Sequence, residues 1–102
     1  MDADDVDAVA CAKCGLPSID DAELHGIRAA LGSDATVAAP KEITGENFGA
    51  AGAFGMAVAL GWMHGAPVGP RVMGPKSGEV ATAVVVSVGY YGNVSAVVLT
   101  RD

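Results

Sequence analysis

The run Asn47 to His64, NFGAAGAFGMAVALGWMH, carries no charge before its terminal histidine and has small residues on every side. No polar face exists to meet water, so a helix here has to be wrapped by protein or lipid. A membrane span needs about 20 apolar residues, and this run is shorter and holds four glycines, Gly49, Gly52, Gly55 and Gly61. Each glycine costs about 1 kcal/mol of helix propensity against alanine. The reading is therefore a central buried helix, with Gly and Ala positions that let other backbones approach closely. Trp62 and Met63, near its end, read as core or interface.

The rest of the chain organises around that segment. Val6 to Ala12 is a short apolar run, read as a buried strand. Ser18 with Asp21 makes a capping-box-like start, Leu24, Ile27 and Leu31 recur at helical spacing, and Gly32 supplies a stop, so residues 19–31 are predicted as a helix. Ala35 to Ala38, ending before Pro40, is a second buried strand. Residues 65–79 hold Pro67, Pro70 and Pro75 and read as a loop in extended crossing. Val80 to Val88 and Val94 to Leu99 form two strands joined by Gly89-Tyr90-Tyr91-Gly92-Asn93, a β-hairpin. The order is β-α-β-α-β-β in a single α/β domain over residues 1–102. Valine-rich strands with little alternation need cover on both faces, and one amphipathic helix is all that remains to cover them. The chain reads as part of a larger fold.

Charge and cysteines bound the partners. The 102 residues carry twelve acids against six bases, a net charge of −6, with Asp2, Asp4, Asp5 and Asp7 among the first seven positions. Nucleic acid and anionic membrane are poor partners for such a surface. An acidic N-terminus lacks the basic n-region of a secretory signal, so a cytoplasmic location is expected. Cys11 and Cys14 form a C-x-x-C pair, open to readings as half a zinc site, a redox pair, or two small residues at a strand-to-loop junction. The only histidines for the first are His25 and His64, and Gly15-Leu16-Pro17 separates the pair from the following helix. The junction reading is preferred, and neither a metal nor a cofactor is expected.

Three segments, in order and at the right separations, resemble the C-terminal half of a β-ketoacyl synthase of the thiolase fold. Where that family has His-Gly-Thr-x-Thr-Pro and then an acidic residue and a helix, this chain has Ala12-Lys13-Cys14-Gly15-Leu16-Pro17 and then Asp20 and Asp21. Ala12 falls at the family's first catalytic histidine. The second motif, Lys-Ser-x-x-Gly-His-x-x-Gly-Ala-Ala-Gly, resembles residues 41–52: Lys41, Gly45 and Gly49-Ala50-Ala51-Gly52 match, and Glu46 replaces the second histidine. The third, Gly-Phe-Gly-Gly-x-Asn, resembles Gly89 to Val94, with Tyr90 at the gatekeeper phenylalanine and Tyr91 where a glycine is usual.

By that resemblance the fold is the C-terminal half of a thiolase-like fold, with a buried Gly/Ala-rich central helix and a C-terminal hairpin. Decarboxylative condensation needs a cysteine nucleophile and donors for the thioester oxygen as charge develops. The family's nucleophile lies in the N-terminal half, which these residues do not include. Alanine has no side-chain donor, and an ionised Glu46 repels an enolate. No catalytic residue is assigned, and Ala12, Lys41 and Glu46 are the positions that match catalytic ones. The resemblance points to a chain-length factor, the inactive partner of a ketosynthase in type II polyketide or related fatty-acyl systems. It implies a ketosynthase-like partner chain and an acyl carrier protein, with Tyr90, Tyr91 and Phe48 lining the substrate tunnel. Two other readings stay open: a subunit of an active split ketosynthase using Lys41 and Glu46, and a small C-x-x-C metal or redox protein. A plain polar pair before the central helix is the bland account of Lys41 and Glu46.

Overall fold

The computed structural model describes residues 5–13, 17–32, 35–40, 51–74, 79–88 and 94–100. The elements are β1 (Ala8–Ala10), α1 (Pro17–Leu31), β2 (Thr36–Ala38), α2 (Ala51–Met63), β3 (Arg71–Met73), β4 (Thr82–Val88) and β5 (Val94–Thr100). One five-stranded sheet runs in the order β3-β2-β1-β4-β5. β1 lies at its centre, parallel to β2 and to β4, with Ala10 in register with Ala38 on one side and Val85 on the other. β3 is antiparallel to β2 and β5 is antiparallel to β4.

The two helices cover opposite faces of this sheet. Alternation along β1 sends Val9 and Cys11 to one side, where they meet Ile27, with Leu24 and Leu31 of α1 packed alongside. Ala8 and Ala10 go to the other side, against Ala59, Trp62 and Met63 of α2. The second face is thus covered by the Gly/Ala helix itself, which corrects the expectation that only the amphipathic helix was left for both. Small residues make this possible: a Cβ built on Gly55 would lie 2.9 Å from Val85 Cγ1, so the helix backbone approaches β4 about as closely as atoms allow.

α2 is nonetheless not fully wrapped by this chain. Its sheet-facing residues Gly55, Ala59, Trp62 and Met63 are buried, whereas Ala57 is exposed and Leu60 is 48% exposed. The uniform apolarity that predicted enclosure is real, but one face of it looks outward. Among the described residues no helix is long and apolar enough to cross a membrane.

The ends of the helices follow from local chemistry. α1 starts at Pro17, two residues before the predicted start. Proline's fixed φ suits the first helical position, so Ser18 lies inside the first turn and the Ser18–Asp21 capping box does not form the helix start. Gly32 ends the helix as predicted, with φ +73° and its N–H donating to the Arg28 carbonyl at 2.8 Å. At the end of α2, Gly65 (φ +99°) donates to the Trp62 carbonyl and Ala66 donates to the Gly61 carbonyl, a Schellman motif. His64 adds a ring contact there, Nδ1 to the Leu60 carbonyl oxygen at 2.8 Å.

The strands differ from their sequence reading: β2 starts at Thr36 rather than Ala35, β4 starts at Thr82 rather than Val80, and β5 runs on to Thr100. β1 is limited to Ala8–Ala10, although Val6, Cys11 and Ala12 beside it are buried as well. The stretch 65–79, read as loop, contains β3, giving an order of β-α-β-α-β-β-β. β3 is three residues long, with a register irregularity opposite Val37 and Ala38, and the Ala39 N–H donates to the Pro70 carbonyl at 2.8 Å. It turns away at Gly74 (φ +90°), where any Cβ would run into the Ala35 carbonyl oxygen. The hairpin strands pair from Thr82↔Thr100 through Val88↔Val94 as predicted, and the connection at 89–93 lies outside the described residues.

Candidate functional site

In parallel strands the carboxyl ends share one edge of the sheet, and that edge is where α/β folds build sites. Chain segments 12–17, 41–52 and 89–94 follow β1, β2 and β4, the three mutually parallel strands. The carboxyl ends of β1, β2 and β4 therefore share one edge of the sheet. Of the residues singled out by sequence, Ala12 is described; Lys41, Glu46, Phe48, Tyr90, Tyr91 and Cys14 lie outside the described residues.

Ala12 follows β1 and is buried. Its neighbour Cys11 anchors the strand end, the Cys11 N–H donating to the Ala38 carbonyl of β2 at 2.9 Å. The Ala12 N–H donates to Oε2 of Glu23 on α1 at 2.6 Å, a short charge-assisted hydrogen bond. The backbone at the end of β1 is thus held by a carboxylate reaching over from α1. Asp20, in the first turn of the same helix, is buried too, where a negative charge suits the helix N-terminus.

Cys11 reports the same environment. Burial pushes its thiol up to about 11, the negative charges of Glu23 and Asp20 push the same way, and a backbone hydrogen bond at Lys13 opposes them. A buried thiol that keeps its proton is a small apolar side chain, with little thiolate to attack or to bind a metal. Among the described residues no three His, Cys, Asp or Glu side chains are grouped as metal ligands. His25 is exposed on α1, and His64 sits at the far end of α2 in its contact with the Leu60 carbonyl.

The structure thus adds Glu23, which the sequence reading missed, to Asp20, which it had named after the first motif. Glu23 sits eleven positions after Ala12 and reaches back from the helix to the strand end. The signal was an acidic residue early in a helix that directly follows a strand, where it faces the preceding loop. A second feature is an apolar groove of about 760 Å³ on the α1 face, lined by Val9, Ile19, Ile27, Val84, Val86 and Val94 among others, with Glu23 also in its lining.

A five-stranded sheet with a parallel centre and a helix on each face makes a mixed α/β domain, consistent with the C-terminal half of a thiolase-like fold. The family model of the beta-ketoacyl synthase C-terminal domain matches residues 1–73, so the chain belongs to that family. The matched region contains the segments at Ala12 and at Lys41 to Gly52, whereas the hairpin segment lies beyond it. No curated protein matches the chain.

Proposed function

We propose that this ketosynthase-family domain serves as a non-catalytic, chain-length-factor-like subunit. It pairs with a ketosynthase-like chain and helps shape the tunnel in which a polyketide or fatty-acyl chain grows on an acyl carrier protein. The observation that supports this reading is Ala12, buried at the position of the family's first histidine and hydrogen-bonded through its backbone to Glu23.

The chemistry explains why that position matters. Decarboxylation of a malonyl thioester breaks the bond to CO2 and leaves its electron pair in an enolate, whose charge rests on the thioester oxygen. The enolate carbon attacks an acyl-cysteine thioester and expels the thiolate. Donors aimed at the enolate oxygen lower that barrier, and removing one such donor costs about 10²–10³ in rate. Ala12 offers a methyl group, and Glu23 places a carboxylate beside it. Glu46 in place of the second histidine supports the same reading from the sequence.

The active split ketosynthase is the competing reading, because Lys41 is retained. The C-x-x-C reading is weakened by the burial of Cys11. The test begins with native mass spectrometry of the tagged chain drawn from its producing cells. A ketosynthase-like chain bound in fixed stoichiometry is the expected result, and a folded chain with no such partner overturns the proposal. In the recovered complex, Lys41→Ala is expected to leave condensation on malonyl carrier protein within about twofold. A loss of more than tenfold moves the assignment to the active split enzyme.

A further inference from the structure

We draw no further inference here: the strongest candidate, the apolar groove between α1 and the β4–β5 side of the sheet, carries nothing because no observation in the structure shows what covers it.

Discussion

Asp7 and Thr82 tie the beginnings of the two longest-separated parallel strands together by a reciprocal pair of bonds. The Asp7 N–H donates to the Thr82 carbonyl at 3.0 Å, while Asp7 Oδ2 accepts from the N–H groups of Thr82 at 3.0 Å and Ala81 at 2.9 Å. One carboxylate thus satisfies two donors at the point where β4 enters the sheet beside β1. Asp7→Ala is expected to destabilise the fold by about 1.5–3 kcal/mol, the range for hydrogen bonds to a charged group. Asp7→Asn, which keeps an acceptor oxygen, is expected to lose less. Urea unfolding of the three chains, read as midpoint shifts at constant slope, checks the order.

Glu23 holds the end of β1 by its bond to the Ala12 N–H. Glu23→Ala leaves that buried donor without its acceptor, an expected cost of about 1–3 kcal/mol. Glu23→Gln should recover much of it. Hydrogen exchange at the Ala12 amide gives a local readout: faster exchange in Glu23→Ala than in Glu23→Gln is the expected pattern, and equal protection in both contradicts it.

The glycines of the two helices should respond in opposite ways to the same substitution. Gly26 on α1 has open space where a Cβ would stand, so Gly26→Ala is expected to gain about 0.4–1 kcal/mol by restricting the unfolded chain. Gly55→Ala would press a methyl against Cγ1 of Val85, a stiff β-branched residue buried in the core. Overpacking of this kind costs about 1–3 kcal/mol, more than the propensity gain of about 1 kcal/mol. Val85→Ala in the Gly55→Ala background should relieve part of the loss, which a double-mutant cycle measures.

Cys11 predicts a pH dependence. Its thiol titrates near 9.0 when unperturbed and near 11 in the fold, so the native state holds the proton more tightly. The associated stability is fully present below about pH 9 and is lost as pH rises through the folded value near 11. The slope over that window is about 1.4 kcal/mol per pH unit at most. Cys11→Ala should flatten it. At neutral pH, alkylation of Cys11 by iodoacetamide should be slow in the native chain and rapid after unfolding.

How far these features could be read in advance depended on whether their cause was local. The end of α1 was legible because Gly32 alone supplies the left-handed residue, and the hairpin because valine-rich runs flank a glycine-bearing turn. The burial of Val6 and of Ala8 to Ala12 was legible because an apolar run leaves little to face water. β3 was hidden by its setting between Pro70 and Pro75, and it is a strand only because β2 offers an edge. The start of α1 went to Pro17 over Ser18 because a fixed φ competed with a side-chain cap. The Glu23–Ala12 bond and the groove beside α1 depend on where a helix docks, which periodicity in Leu24, Ile27 and Leu31 does not specify.

Placing β1 between β2 and β4 also sets a schedule for assembly. The Asp7–Thr82 contact spans 75 positions, so the central strand waits for most of the chain before its second neighbour arrives. Loop closure on that scale precedes any reward from the pairing, which slows folding relative to chains of the same size with local contacts. During synthesis the segment Ala8–Ala10 is half-paired at best until residues 79–88 have left the ribosome, and a nascent chain halted before them exposes the sheet's own centre to chaperones.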